Sequence, residues 1–160
     1  WEQANRDYLT KAYTRRYFFT QHEKDVSDSG QFALGLIDID FFKKVNDTHG
    51  HDVGDQVLFE FAKRLKNAFG QHFTVARFGG EEFVVAFKGL DGDRAFTVMD
   101  KFRQQVNSQP FITDAGELTI SFSCGIAKAE STDTNLDTLL HRADLCLYEA
   151  KEAGRNKVVL

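Results

Sequence analysis

The sequence has little proline and cysteine, with one proline and two cysteines among its 160 residues. It also contains no internal repeat, linker-like segment or low-complexity tract, which excludes fibrous and largely disordered classes of protein. Cys124 and Cys146 lack C-x-x-C spacing and fall in a predicted strand and a predicted helix. We expect both to be buried, reduced thiols, which favours a cytoplasmic location.

Long apolar runs are missing as well. No segment approaches the about 20 apolar residues that a membrane span requires, and the sequence shows no signal-peptide pattern. A net charge of −4 gives no reason to expect a nucleic acid or an anionic membrane as a partner. The length suits one domain, 1–160, that buries roughly 70% of its unfolded surface, and sixteen phenylalanines supply much of its core.

The chain begins with tryptophan rather than methionine, so we expect it to be part of a longer protein. Residues 1–8 are expected to be the end of a helix that enters from an upstream linker. Thr14 is a candidate N-cap of the next helix, which should end near residues 28–30.

Hydrophobic periodicity predicts the order of the main elements. Strands are predicted at 31–38, 73–87 (a hairpin), 118–127 and 158–160, and helices at 55–69, 94–105 and 136–153. The resulting order of strand, helix, two strands, helix and strand predicts an α+β fold. Its core is a ferredoxin-like, palm-type antiparallel sheet (βαββαβ) flanked by helices, as in nucleotide cyclases.

The predicted hairpin carries an unusual turn. Gly79 and Gly80 can both adopt positive φ in a tight turn, and Glu81 and Glu82 follow directly at the start of an apolar strand. A solvated hairpin with two surface glutamates is one interpretation. The other is a site for a phosphate-bound metal, because a bare glycine turn lets a bulky ligand approach the backbone.

A second segment favours the metal interpretation. The buried strand at 31–38 ends in Asp38-Ile39-Asp40 and leads into a polar stretch that reaches Asp55. Carboxylates at the end of a strand, beside a hairpin that bears more carboxylates, are a typical arrangement for hard cations with oxygen ligands. Asp40 is equally well explained as a cap of the turn that follows it.

Together these segments resemble the GGDEF (here GGEEF) family of bacterial diguanylate cyclases. The resemblance covers nearly the whole chain in four ordered segments: 7–10 (Asp-Tyr-Leu-Thr), 38–55, 79–83 (Gly-Gly-Glu-Glu-Phe) and 143–156. It departs from the family pattern at Lys11-Ala12, where Gly-Leu is usual, and at Thr14, where Asn is usual. These departures concern local packing more than chemistry.

The resemblance implies an enzyme that condenses two GTP molecules into cyclic di-GMP and two pyrophosphates, as a transient antiparallel homodimer. It implies two Mg²⁺ or Mn²⁺ ions per active site, bound by Asp38, the Ile39 carbonyl and Glu81, with Glu82 either a further ligand or a structural group. Glu81 is also the implied general base, and Lys43 joins it in the catalytic group. Family members commonly follow a sensor domain, so an N-terminal sensor is expected, and a membrane anchor could lie upstream of this domain.

The resemblance also assigns the substrate contacts. Asn46 and Asp55 match the residues that read guanine, and a carboxylate at the second position implies GTP rather than ATP. His51 is either a contact to base or ribose or a packed, neutral histidine. The implied phosphate contacts and turn residues are Lys43, Lys151, Arg155, the backbone N–H groups of Phe41 and Phe42, and Gly79 and Gly80.

Two rival functions and one missing motif complete the predictions. A degenerate domain that binds GTP or cyclic di-GMP as a receptor would usually lack acids of the signature, whereas both are present. A class III-like nucleotide cyclase would use the same metal chemistry without Asn46 and Asp55. The family's inhibitory product site, Arg-x-x-Asp, is replaced here by 70–73 (Gly-Gln-His-Phe), which predicts that this product-inhibition site is missing.

Overall fold

The computed structural model describes residues 3–160. The expected helix end at 1–8 falls partly on Trp1 and Glu2, which lie outside the described residues. In the remainder the expectation is wrong, because only Gln3–Asn5 is helical, as a short 3₁₀ turn. The Asp7 carboxylate then accepts hydrogen bonds from Thr10 N and Thr10 Oγ1, and this turn folds the chain back on itself.

Eight strands and five helices follow in the described part of the chain. The strands are β1 (Tyr13–Thr14), β2 (Phe32–Ile39), β3 (Thr74–Gly79), β4 (Glu82–Lys88), β5 (Phe111–Thr113), β6 (Gly116–Leu118), β7 (Phe122–Lys128) and β8 (Val158–Val159). The helices are α1 (Arg15–His22), α2 (Phe42–His49), α3 (His51–Phe69), α4 (Gly92–Ser108) and α5 (Leu136–Glu152).

A central sheet has the strand order β1-β3-β4-β2-β7-β8 and is flanked by helices. The predicted α+β class and the βαββαβ core are therefore confirmed. The four inner strands pair antiparallel, as predicted. Both edge strands, which lie outside this core, are parallel to their neighbours. The crossover through α5 explains β8, because a helical connection returns the chain in the same direction.

Several predicted boundaries were also wrong. Thr14 does cap α1, since its side chain accepts from Tyr17 N, and the helical stretch ends close to the predicted residues 28–30, although its last part, Glu23–Ser27, is a 3₁₀ helix. The stretch predicted as a turn after Phe41 is a full helix, α2. The strand predicted at 118–127 is divided, because Leu118 pairs with Phe111 in a separate two-stranded sheet.

Both faces of the sheet are buried. In β2, Ile37 packs towards α3 and α4, where Phe61 and Phe102 contribute aromatic rings. Leu34 and Leu36 face the opposite layer, with α1 and α5. A strand that is covered on both sides reads as a continuous apolar run rather than an alternating one, which is why this strand was recognisable from the sequence.

Helix α5 lies directly on β7 at Gly125. A Cβ atom at this position would lie 2.0 Å from the carbonyl oxygen of Ala143 and 2.4 Å from Leu147 N. The glycine therefore sets the distance between helix and sheet, and α5 carries Lys151 to the end of β2. In the described residues no helix combines the length and apolarity that a bilayer crossing needs.

Both cysteines are free thiols. Cys124 is buried in β7, as predicted, and burial raises the pKa of its thiol well above the ordinary value. Cys146 is only half-buried, so its predicted burial was wrong. It lies on α5 at the edge of the buried face of the helix, to which Ala143 and Leu147 belong.

Candidate active site

A cavity of about 170 Å³ lies at the carboxyl end of β2. Its lining residues are Asp38, Ile39, Asp40, Phe41, Phe42, Lys43, Glu81, Lys151 and Arg155. Eight of these nine were predicted from the sequence as metal, phosphate or catalytic residues, and they come from three separate segments of the chain. The fold thus brings three carboxylates and three cationic side chains around one small space.

Asp38 is the last polar residue of β2 and is partly buried. Its Oδ2 atom accepts a hydrogen bond of 2.6 Å from Lys151 Nζ on α5. Across the sheet its partner in β4 is Glu82. The opposite charge of Lys151 compensates one carboxylate of this acidic pair, while the second carboxylate has no such direct contact in the described residues.

The carboxylate without a direct cationic partner is that of Glu82. Burial raises the pKa of its carboxyl group above the ordinary value, and repulsion from Asp38 and Asp144 adds to the increase, which Lys151 partly offsets. Glu82 lies beside Asp38 but does not line the cavity. Whether it binds metal stays a prediction.

The glycine turn places Glu81 at the cavity. Gly79 has φ +143° and Gly80 has φ +48°, conformations that glycine adopts without a steric penalty, so the predicted positive φ values are confirmed. Glu81 lies in the turn itself and not in the strand, which corrects its predicted position. Its carbonyl oxygen accepts from Ile39 N at 3.2 Å, and this bond fastens the turn to the end of β2.

Arg77 holds the other side of the turn. Its Nε and Nη2 atoms both donate to Gly80 O, at 3.0 and 2.8 Å. Nη1 of the same side chain donates to Asp7 Oδ2 at 3.1 Å. The guanidinium therefore links the folded-back N-terminal segment to the turn that carries Glu81. The sequence interpretation missed this residue, although an arginine two positions before the first glycine of the turn was a visible signal.

Asp40 has a structural role, but it does not cap α2. Its buried carboxylate accepts from Ser121 Oγ and Ser123 Oγ, both at 2.7 Å, and from Asn156 N at 3.0 Å. The residue before α2 is Phe41, and among the described residues α2 has no side-chain cap. Asp40 instead ties the end of β2 to the loop after α5. The two serines lie just before β7 and within it, far along the chain, so the sequence pattern could not connect them to Asp40.

Strained backbone surrounds the cavity. Four described non-glycine residues have positive φ, and three of them lie here: Phe41 at +57°, Arg155 at +64° and Asn156 at +50°. The Arg155 guanidinium lies 4.9 Å from the centre of the exposed Phe41 ring. Such conformations cost energy and cluster at functional sites.

The predicted phosphate contacts differ in their surroundings. Lys43 is exposed and donates to Asp47 Oδ2 at 2.8 Å, one turn further along α2, and this bond raises the pKa of the lysine. Phe42 is buried and begins α2. The first N–H groups of a helix have no intrahelical acceptor and favour anions, so the start of α2 at the cavity wall suits phosphate oxygens.

The predicted base-reading residues lie outside this cavity. His51 and Asp55 are exposed on α3, so the packed alternative for His51 was wrong. Asp55 lines a separate cavity of about 370 Å³, whose other residues are Leu9, Gln56, Phe59, Glu60 and Ile112. Asn46 lies on α2, and its buried Oδ1 atom has no hydrogen-bond partner among the described residues. Gly79 and Gly80 form the exposed turn beside Glu81.

The residues at the cavity suit a hard divalent cation that retains other ligands. No group of three or more His, Cys, Asp or Glu side chains in residues 3–160 forms a complete metal cage. Two carboxylates, Asp38 and Glu81, line the cavity together with Ile39. Mg²⁺ is usually bound by one or two carboxylates, with substrate phosphates and water completing its shell. The oxygen donors present therefore fit Mg²⁺ or Mn²⁺ in the presence of a phosphate substrate.

The chain as a whole is similar to known proteins. Residues 4–157 match the family described as "Diguanylate cyclase, GGDEF domain". The chain is 40% identical over 99% of its length to the response regulator PleD of Caulobacter vibrioides, covering 36% of that protein. It is 35% identical over 99% of its length to diguanylate cyclase A of Treponema denticola, covering 45% of that protein. The chain thus spans less than half the length of either curated relative.

The fold also matches solved structures. The crystal structure of the coiled coil and GGDEF domain of DgcB from Caulobacter crescentus, in complex with c-di-GMP, has a TM-score of 0.90 and 28% identity. The match covers 99% of this chain and 86% of that one.

Proposed function

We propose that this chain, which belongs to the diguanylate cyclase GGDEF domain family, condenses two GTP molecules into cyclic di-GMP with the release of two pyrophosphates. One observation supports the proposal most directly. Asp38, Glu81, Lys151 and Arg155 line a single cavity at the end of β2, where acidic and cationic groups suit a nucleoside triphosphate.

In the proposed reaction, the 3′-oxygen of one GTP forms a bond to the α-phosphorus of the other. The bond from that phosphorus to the bridging oxygen breaks, and pyrophosphate leaves. Glu81 accepts the proton of the attacking hydroxyl as general base. Repetition with the roles of the two nucleotides exchanged closes the ring, so two pyrophosphates leave for each cyclic product.

The triphosphate would be held by Lys43, Lys151 and Arg155, together with the N–H groups of Phe41 and Phe42. The Arg155 guanidinium lies over the Phe41 ring, and a guanidinium fork suits phosphate oxygens. Two Mg²⁺ or Mn²⁺ ions, held by Asp38, the Ile39 carbonyl and Glu81, would neutralise phosphate charge and acidify the attacking hydroxyl. The hydrogen bond from Lys151 to Asp38 would then give way to contacts with phosphate and cation.

Guanine would bind between α2 and α3. Asp55 would accept hydrogen bonds from guanine N1–H and N2–H₂, while the carboxamide of Asn46 supplies both a donor and an acceptor. The unpartnered, buried Oδ1 atom of Asn46 supports this assignment, since a buried polar atom without a partner is costly. The exposed His51 is a candidate contact to base or ribose.

The product requires two nucleotides that face each other, whereas each domain has one such site. We therefore include a transient antiparallel homodimer in the proposal. Specific activity should rise with enzyme concentration below the dimer dissociation constant. Constant specific activity across a hundredfold dilution, with a monomer detected by light scattering, would contradict this part. The proposal further includes an N-terminal sensor domain and a location in the cytoplasm, where GTP is available, with neither nucleic acid nor membrane as a partner of this domain.

The stretch at 70–73 supports the absence of an Arg-x-x-Asp product site. Phe73 packs against Phe87, with ring centroids 5.1 Å apart, so this position faces the core. A Cβ atom at Gly70 would lie 2.6 Å from the Lys66 carbonyl oxygen, which leaves no room for an arginine without a backbone shift. Cyclic di-GMP should therefore inhibit only by competition with GTP, and tight noncompetitive inhibition in steady-state assays would refute this.

The reaction is tested by incubating the protein with GTP and Mg²⁺ and identifying products by chromatography and mass spectrometry. Cyclic di-GMP together with pyrophosphate is the expected result. Cyclic GMP would instead identify a nucleotide cyclase of the other class. Unreacted GTP with saturable nucleotide binding would identify a receptor domain.

A further inference from the structure

Gly54 lies in the first turn of α3 and faces α2 at very close range. A Cβ atom built on it would lie 1.8 Å from Asn46 Oδ1, 2.9 Å from Asn46 Cγ and 3.3 Å from Phe42 Cζ. Side-chain carbons do not approach oxygen atoms within 1.8 Å, so the Asn46 carboxamide occupies the space where any other residue at position 54 would have its side chain.

The connection between the helices keeps this contact tight. α2 ends at His49 and α3 begins at His51, so Gly50 alone joins them. Gly50 N donates to Asn46 O at 2.8 Å, and Gly54 N donates to Gly50 O at 3.1 Å. The helical hydrogen bonding thus continues up to Gly50 from both sides, and a change in the distance between the two helices must be absorbed by the backbone of this one residue.

The position of the carboxamide has a consequence for binding. Asn46 Oδ1 is buried and has no hydrogen-bond partner among the described residues. A carboxamide that could rotate freely would turn this oxygen towards solvent and recover a hydrogen bond with water. In the observed orientation the oxygen instead packs against Gly54, so the position of the whole carboxamide depends on the space that the glycine leaves free.

We infer that Gly54 is a positioning residue that determines base specificity, because its missing side chain lets Asn46 present its carboxamide to the nucleotide base. The inference rests on the proposed function for the identity of the ligand, a guanine nucleotide. The contact between Gly54 and Asn46 is observed in the structure and does not depend on the proposed function. Gly54 itself touches no substrate, and its effect is transmitted through Asn46.

The Gly54→Ala substitution tests the contact through protein stability. Alanine favours helix over glycine, so replacement of a helical glycine ordinarily stabilises. Here the added methyl group must displace the Asn46 side chain, so we expect Tm to fall by about 2–4 °C. In an Asn46→Ala background the obstacle is gone, and the same substitution should raise Tm by a similar amount. Equal Tm changes in the two backgrounds would overturn the inference.

Nucleotide selectivity tests the functional role. The probes are the α,β-methylene analogues of GTP and ATP with Mg²⁺, since the methylene bridge prevents pyrophosphate release. In Gly54→Ala the ratio of the adenine to the guanine dissociation constant should fall about tenfold, the effect of one hydrogen bond. Asn46→Ala should give a similar ratio, and the double variant should show no further loss, with Asp55 retaining a residual preference.

The outcomes separate the two claims. A wild-type protein that does not prefer the guanine analogue would refute the guanine assignment within the proposed function. A wild-type preference that Asn46→Ala lowers and Gly54→Ala leaves unchanged would refute the positioning role of Gly54 alone.

Discussion

The two ends of the central sheet both carry clusters of charged residues, and the clusters differ in how completely their charged groups are paired. At the amino end of β2, His22 and Asp25 are buried and pair through Nδ1 and Oδ2 at 2.9 Å. His22 Nε2 also contacts Thr74 Oγ1 at 2.8 Å, and Lys88 Nζ lies 3.4 Å from Asp25 Oδ1. Each of these polar groups has a protein partner.

At the carboxyl end the charges are only partly paired. Lys151 compensates Asp38, but burial and neighbouring carboxylates raise the pKa of Glu82, and the backbone of Phe41 and Arg155 is left-handed. Unbalanced charge and strain are tolerable where a ligand supplies the missing partners. The amino-end cluster is paired as a purely structural group would be, whereas we propose that the carboxyl-end cluster serves binding, and substitutions should separate the two.

The largest effect is expected for Glu81→Gln at the carboxyl end. Loss of one electrostatic element of an active site lowers the rate by roughly 10²–10³-fold, and Glu81 is proposed to act both as base and as metal ligand. We expect a rate loss of at least this size in cyclic di-GMP synthesis, with an unchanged Tm. Glu117→Gln, an exposed glutamate of β6, is the matched control. A Glu81→Gln enzyme with a tenth of wild-type activity would refute the assignment.

Asp40 combines features of both clusters. It borders the cavity, yet its carboxylate is hydrogen-bonded to three protein groups. Asp40→Ala would leave the Asn156 N–H and two serine hydroxyls without their acceptor, at a cost of about 1–3 kcal/mol in the free energy of unfolding. Because Asn156 follows Arg155, we also expect a higher KM for GTP. Urea denaturation and steady-state kinetics measure both. In an Arg155→Ala background the KM increase should vanish while the stability loss remains, and an additive KM effect would contradict the link.

The cluster at the amino end of β2 should make the free energy of unfolding depend on pH. Burial lowers the pKa of His22 below the ordinary histidine value, although Asp25 partly opposes this. In the unfolded chain the imidazole binds a proton near pH 6.5, so the unfolded state takes up more protons than the folded state below that pH. The free energy of unfolding should therefore fall as the pH drops through about 6.5, down to the lowered folded-state pKa.

Urea titrations of the wild type and of His22→Gln between pH 7.5 and 5 measure this dependence. In the variant the free energy of unfolding should change less steeply with pH. An identical pH dependence would show that His22 does not cause it. The remaining four histidines, 49, 51, 72 and 141, are exposed. His72→Gln is thus a suitable control.

The smallest effect concerns a position remote from both charge clusters. Lys11 has φ +63° at a position where the family pattern has glycine. A left-handed conformation costs a non-glycine residue about 1–2 kcal/mol, and glycine loses part of that gain through its unfolded-state entropy. Lys11→Gly should therefore stabilise by about 0.5–1 kcal/mol in urea denaturation without changing activity. A destabilised variant would show that the contact of Lys11 with Tyr8 outweighs the strain.

The sequence was sufficient for the parts of the molecule where local pattern and burial agree. The apolar run of β2 and the helical spacing in α4 and α5 predicted those elements, because a hydrophobic face must be buried wherever it occurs. The segment from Asp38 to Lys43 and the turn with Glu81 were recognisable as candidate site residues. Their residue types, carboxylates at strand ends and a glycine turn, are ones that a metal-dependent phosphate site requires.

Helix α2 was missed because its apolar residues are few and its start at Phe41 has a left-handed backbone rather than a capping side chain. The division of the strand predicted at 118–127 depends on pairing with Phe111, a contact that adjacent residues do not encode. Glu81 could not be placed in the turn from alternation alone, since the register shift between Arg77 and Gly79 moves it out of the strand.

The fold class and the chemical character of the candidate site could be predicted from the sequence, since both depend on residue types and their spacing. The pairs of groups that meet depend instead on the packed fold: Lys151 with Asp38, Arg77 with Gly80, and Asp40 with Ser121, Ser123 and Asn156. The packed fold also decided that Asn46 occupies the space left by Gly54. Each of these contacts joins atoms whose distance follows from how helices pack on the sheet, and no pattern along the chain measures that distance.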